Sequence, residues 1–299
     1  MNHRIPVLLD GDPGHDDAIA WMLAATGLDI RGVSSAAGNQ TIEKTTRNAL
    51  RICTLLGIRA PVAMGLARPL LSEALTAPSV HGVSGLDGPA LPEPDREAAP
   101  ERAPEQMARL LRESAEPLTI VATAPLTNVA ALLLAHPELK ANIAGISLMG
   151  GGLAHGNWTP AAEFNILADL VFRSGLPITM AGLDVTEQAL LYPEDFARIR
   201  AVGNPVAETV AGWLDFFFAF HRTKGYAGAP VHDAVAVCAL LRPDLLRFED
   251  WHVTVETQGA FCRGATAGDR RTAPNARVIT GIDREGFAEL LTEAVRTYG

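Results

Sequence analysis

Val7-Leu8-Leu9-Asp10-Gly11-Asp12-Pro13-Gly14-His15-Asp16-Asp17-Ala18-Ile19-Ala20 sets four carboxylates within eight residues, with an apolar run on either side. The run over 5–10 is apolar almost throughout instead of alternating, as expected for a parallel strand covered on both faces. Pro13-Gly14 turns the chain, and residues 17–25 read as the helix that follows. Strand, tight turn and helix open a βα unit. The acids then lie at the carboxyl end of the strand, where open α/β sheets hold their ligands.

The same rhythm continues outward from this stretch. Residues 29–37 read as a second strand, 41–56 as a helix and 61–64 as a short third strand. Apolar runs at 118–124, 146–149 and 178–185 continue the series, with helical patterns at 126–135 and 234–241. Near the C-terminus, 251–257 alternates like an antiparallel strand, 276–282 makes another and 284–298 a closing helix. The fold class expected is α/β: a mostly parallel open sheet flanked by helices on both faces, with a few extra antiparallel strands near the C-terminus. Two segments break the rhythm. Residues 68–104 carry seven prolines and little periodicity, and 221–230 includes Gly225 and Gly228. Loops as long as the first are often functional. With no repeat and no linker, residues 1–299 are expected to form one domain.

Composition narrows the function classes. A 48% hydrophobic content marks a globular chain, and a formal net charge of −9 argues against a general nucleic-acid surface. Cys53, Cys238 and Cys262 are odd in number and far apart. They suit a reducing cytoplasm better than a disulfide framework or a zinc site. No run reaches the roughly 18 apolar residues of a membrane span. A soluble, cytoplasmic protein with neither nucleic-acid nor membrane partners is expected.

The four acids admit several explanations. Asp16 as an N-cap and Asp17 as a first-turn acid would be ordinary helix chemistry, but that accounts for two carboxylates and not four. A hard cation, Ca²⁺ or Mg²⁺, accounts for all of them. The spacing excludes an EF-hand: counting from Asp10, Gly14 and Trp21 fall at the fifth and twelfth positions, where ligands belong. An aspartyl phosphatase, with Asp10 as nucleophile and Asp12 as acid/base, stays open on this stretch alone.

Motifs elsewhere discriminate. Gly38-Asn39 follows the second strand, and His81-Gly82-Val83-Ser84-Gly85-Leu86-Asp87-Gly88 falls in the proline-rich segment. Thr123-Ala124-Pro125-Leu126-Thr127-Asn128 ends a strand; Met149-Gly150-Gly151-Gly152, Asn157 and Glu163-Phe164-Asn165 follow another; Val231-His232-Asp233-Ala234 comes last. Together with Asp10–Ala18, these motifs resemble, in order, those of the nucleoside hydrolases of the inosine–uridine-preferring type. The phosphatase reading leaves all but the first unexplained.

The resemblance implies one Ca²⁺ held by Asp12, Asp17, the Thr123 carbonyl and Asp233, with Asp10 as a supporting acid behind them. It implies hydrolysis of a ribonucleoside to ribose and free base, by metal-activated water with Asp12 as general base and an oxocarbenium-like transition state. Asp16, Asn39, Asn157, Glu163 and Asn165 would hold the ribose, Asn165 also acting in catalysis, and Met149 would pack under the sugar. By pattern alone His232 merely precedes an N-cap Asp233; the resemblance makes it the candidate acid for the departing base. His81 and Tyr226 sit in loops from which they would reach the base. His15 is expected to point outward. Trp251 and the phenylalanines at 216–218 and 220 read as packing residues, Arg222 and Lys224 as solvated charges, and Gly150-Gly151-Gly152 as close backbone packing. A nucleoside as small-molecule partner and a homodimer or homotetramer are also implied. The alternatives are an N-ribosyl hydrolase with another leaving group, such as nicotinamide riboside, and a non-catalytic ribose- or Ca²⁺-binding protein.

Overall fold

Residues Pro6–Gly11 form the first strand, β1, and every one of them is buried. Val7 and Leu9 enter one apolar core and Leu8 the other. Both faces of the strand are therefore covered, which is why it is apolar until Asp10 near its carboxyl end. The computed structural model describes residues 4–69, 73–157, 159, 164 and 167–299.

The later strands are β2 Asp29–Ser35, β3 Val62–Met64, β4 Leu118–Ala122, β5 Ile143–Met149, β6 Ile178–Ala181, β7 Leu190–Leu191, β8 Ala229–Pro230, β9 Leu246–Val255, β10 Thr266–Asp269 and β11 Ala276–Ile282. Nine form one sheet in the order β10-β9-β11-β6-β5-β4-β1-β2-β3, and β7 pairs with β8 apart from it. From β3 across to β11 all neighbours run parallel, whereas β9 is antiparallel to β11 and β10 to β9. Helices His15–Gly27, Ile42–Leu56, Pro205–Thr223, Ala234–Leu241 and Arg284–Arg296 pack on one core. Helices Ala103–Glu113, Thr127–Ala135 and Ala168–Phe172 pack on the other. The α/β class and the antiparallel strands near the C-terminus are as expected. Among the described residues, no helix is long and apolar enough to cross a membrane.

The chain leaves β1 toward β2 and β3, then returns to the other side of β1 as β4. That reversal opens a crevice at the strands' carboxyl ends, the usual ligand position in such a sheet. Asp12 follows β1, Asn39 follows β2 and Thr123 follows β4, so all three stand at its rim.

Some boundaries differ from the sequence expectation. The first helix starts at His15 and not at residue 17, since Asp16 and Asp17 occupy its acidic first turn. The apolar run 178–185 divides at Gly182 into β6 and a helical turn Leu183–Thr186, whose first N–H bonds to the Gly151 carbonyl. The proline-rich segment holds a helical turn, Pro78–His81. The long helix Pro205–Thr223 continues through His221, so the second break starts later than expected. β9 starts at Leu246, ahead of residue 251, because Leu246 to Trp251 pair with β11.

Candidate active site

At the crevice lies a cavity of about 600 Å³. Asp12, Asp16, Asn39, His81, Thr123, Met149, Asn157, Tyr226, His232 and Asp233 all line it. Residues far apart in the chain are thus brought together as the motifs suggested. Glu163 and Asn165 lie outside the described residues.

The carboxylates of Asp12, Asp16 and Asp233 line its floor, with Asp17 and Asp10 beside and behind them. Asp10 and Asp17 are fully buried, and Asp12, Asp16 and Asp233 nearly so. One ligand oxygen from each of Asp16, Asp17 and Asp233 lies within 4.8 Å of the others. Asp12 stands beside this group with Oδ2 accepting the Asn39 N–H at 2.7 Å. Asp17 is the most heavily bonded: Oδ1 accepts from Thr123 Oγ1 at 2.7 Å, and Oδ2 from the Gly14 N–H at 3.1 Å and Asn39 Nδ2 at 3.2 Å. Asp10 lies behind, its Oδ1 accepting from Asn128 Nδ2 at 2.8 Å while Oδ2 has no hydrogen-bond partner among the described residues. Asn128 also donates to the Ser35 carbonyl and accepts the Leu66 N–H, tying the end of β2 and the segment after β3 to the acid.

Close approach explains two glycines. A Cβ at Gly11 would run into Asp17 Oδ1, and one at Gly38 into Asp12 Oδ2. Neighbouring Leu126 adopts a left-handed conformation, φ 59°, at a cost of about 1–2 kcal/mol. It turns the chain after Thr123 so that Asn128 faces Asp10.

Burial sets the electrostatics. It pushes the Asp10 carboxyl up to about 7 and that of Asp17 up to about 6. Asp12 and Asp233 are driven well above the usual carboxylate range, first by burial and then by the neighbouring acids. A cluster of this kind holds protons until a cation compensates its charge. The donors are all oxygens with no thiol among them, which fits a hard divalent ion such as Ca²⁺.

The wall above is aromatic and imidazole-rich. His232 Nδ1 lies 2.8 Å from Thr186 Oγ1, and burial lowers its ring to about 3. His81 is held well below the ordinary histidine value by burial and the neighbouring imidazoles. The Tyr226 hydroxyl donates to Glu187 Oε1 at 2.7 Å, and burial with that carboxylate raises it to about 12.

His15 does not point outward. It is fully buried, with Nδ1 3.1 Å from His81 Nδ1 and its ring stacked on Phe216. Its helix is buried all round over its first ten residues, so no outward face exists there. Trp251 lies outside the cavity lining, under the Arg270 guanidinium. Gly151 and Gly182 pack backbone to backbone, in keeping with the reading of the glycine run. His221 and Glu187 line the cavity without having been singled out, and Phe217, Phe220 and Lys224 do so despite reading as packing residues and a plain solvated charge. Each lies in an unremarkable helical or polar stretch, and only the tertiary fold reveals them.

Fold and acid-floored crevice define a class, that of the nucleoside hydrolases. The model of the family described as inosine-uridine preferring nucleoside hydrolase matches residues 7–289, and the chain belongs to this family. It is a nucleoside N-ribohydrolase. The pyrimidine-specific ribonucleoside hydrolase RihA of Shigella flexneri serotype 5b (strain 8401) is 52% identical, over 98% of this chain and 99% of its own. The protein of the same description from Escherichia coli O7:K1 is 51% identical over the same shares. Among solved structures, a purine-preferring ribonucleoside hydrolase from Gardnerella vaginalis superposes with a TM-score of 0.91 at 30% identity, covering 98% of both chains. A plant nucleoside hydrolase, the PpNRh1 enzyme, gives 0.90 at 27% identity, covering 98% of this chain and 99% of its own.

Proposed function

We propose that this enzyme hydrolyses the N-glycosidic bond of pyrimidine ribonucleosides with Ca²⁺ as its cofactor. The observation that carries the reading is the convergence of the Asp16, Asp17 and Asp233 carboxylates on the floor of the cavity. The 52% identity to a relative described as pyrimidine-specific supports the choice of base.

Asp17, Asp233 and the Thr123 carbonyl, with Asp12, would hold the ion. When bound, the ion supplies the positive charge that lets the buried acids ionise and the Lewis acidity that makes water a better nucleophile. Asp12, with Oδ2 taken by the Asn39 N–H, receives the proton of the attacking water. Water oxygen bonds to the anomeric carbon as the carbon–nitrogen bond breaks, and the electron pair leaves on the base. Asp16 accepts from a ribose hydroxyl, with Asn39, Asn157, Glu163 and Asn165 around the sugar and Met149 beneath it. Carboxylates near the ring stabilise developing oxocarbenium charge more than they stabilise the ground state. His232 faces the departing base as its proton donor, while His81 and Tyr226 flank it.

Ribose release from uridine, cytidine, inosine and adenosine tests the choice of substrate. Turnover of the two pyrimidine nucleosides is expected to exceed that of the purine pair. A reversed order would overturn the base assignment, and no release from any of the four would overturn the reaction.

A further inference from the structure

His15 and His81 meet through their Nδ1 atoms at 3.1 Å, with ring centroids 5.4 Å apart. On the far side of His15, Nε2 lies 2.8 Å from the Asp87 carbonyl oxygen. A carbonyl oxygen only accepts, so His15 Nε2 carries a hydrogen. A neutral imidazole has one N–H, which leaves His15 Nδ1 as a bare acceptor. The hydrogen between the two Nδ1 atoms therefore belongs to His81. With its single hydrogen on Nδ1, His81 has a bare Nε2. His81 lines the cavity, and its Nε2 has no hydrogen-bond partner among the described residues.

One other arrangement competes. The His15 backbone N–H lies 3.4 Å from His81 Nδ1 and would donate to it if that atom were bare. Two ring lone pairs would then face each other at 3.1 Å, unless His15 carried hydrogens on both nitrogens. A cationic ring is disfavoured where His15 sits, fully buried and stacked on Phe216 at 4.9 Å and Phe217 at 5.5 Å.

The anchor is itself well held. The Asp87 carboxylate accepts the Val83 N–H at 2.8 Å, the Ser84 N–H at 2.9 Å and the Ser84 hydroxyl. Its backbone N–H donates to the His81 carbonyl at 3.2 Å. The loop thus closes on itself and presents the Asp87 carbonyl to His15.

On the nucleoside reading of the cavity proposed above, we propose that His15 is a positioning residue. Anchored on the Asp87 carbonyl, it fixes the tautomer of His81, so that His81 offers the substrate a hydrogen-bond acceptor and not a proton. His81 then receives a hydrogen bond from a donor on the nucleoside, and protonation of the departing base falls to another group.

The test is the imidazole ¹⁵N spectrum of the substrate-free full-length chain labelled with ¹⁵N-histidine, assigned with His81→Asn and His15→Phe. Expected are a protonated, pyrrole-like Nδ1 and a bare, pyridine-like Nε2 for His81, with the opposite pattern for His15. His15→Phe keeps a stacked ring and removes both nitrogens. In it the His81 resonances are expected to shift to a tautomer mixture, and kcat for uridine to fall on the order of tenfold. His15→Asn, which restores an oxygen acceptor near the lost Nδ1, is expected to recover most of that loss. A hydrogen on Nε2 of His81 in the native chain would overturn the proposal, as would a His15→Phe variant with unchanged His81 resonances or native kcat. If the native chain released no ribose from uridine, the nucleoside reading would fail while the spectrum still decided the tautomer.

Discussion

Asp17 has its two oxygens engaged by Thr123, Gly14 and Asn39, and burial raises its carboxyl to about 6. The hydrogen bonds favour the anion and burial opposes it, and burial prevails until a cation compensates the charge. These acids were legible in the sequence because they are local: four of the five lie within eight residues at a strand end. His221 and Glu187 were not, because they reach the cavity only through the packing of a long helix and a two-loop contact. The inward direction of His15 departs from the sequence expectation for the same reason, since the rings that enclose it come from residues 81, 216 and 217. Two outcomes are expected at this scale. Asp12→Asn should lower kcat for uridine on the order of 10²–10⁴-fold, as loss of a general base does, with the far-UV circular dichroism unchanged; native turnover would remove Asp12 from the chemistry. His232→Ala should slow uridine far more than an activated nitrophenyl riboside, which needs no protonation to leave. Equal losses on the two substrates would exclude the leaving-group role.

Elements were read most easily where both faces of a strand are apolar. β1 and β4 each read as a nearly unbroken apolar run with a helix behind it, whereas β2 carries Asp29, Arg31, Ser34 and Ser35. Boundaries failed where tertiary contacts override local pattern, as at Gly182, where one run becomes a strand and a helical turn. One junction between elements carries a stability prediction. Asp195, in the first turn of the helix Pro193–Arg200, accepts the Tyr192 N–H at 2.8 Å and Arg284 Nη1 at 2.6 Å, and pairs with Arg198. Burial alone would raise this carboxyl, but the Tyr192 N–H and the two guanidinium groups outweigh it and hold it below the usual range. A depressed carboxylate contributes stability above its unfolded pKa, and loses it as pH falls through the folded value. Asp195→Asn should therefore cost about 1–3 kcal/mol near neutral pH. In urea unfolding the gap to the native chain should narrow between about pH 5 and about pH 3. A gap independent of pH would mean that the ion pairs contribute nothing.

For the whole molecule, the sheet order places its reversal between β1 and β4, and Asp12, Asn39, His81, Thr123, Met149, Asn157 and Asp233 of the sequence motifs line the cavity there. Class and site location were thus readable from the order of strands and motifs, whereas the shape of the cavity wall was not, being made by loops whose course depends on the finished fold. A homodimer or homotetramer is expected from the family resemblance; sedimentation equilibrium at micromolar concentration would count against it by returning the monomer mass of 31.7 kDa. The central claim is that the buried carboxylates work as a cation site for N-glycoside hydrolysis. Its most direct test is ribose release from uridine by the purified chain with Ca²⁺, after exhaustive chelation, and after Ca²⁺ is returned. Loss of activity on chelation and recovery with Ca²⁺ is the expected result. Undiminished release from a folded chain stripped of metal would contradict it.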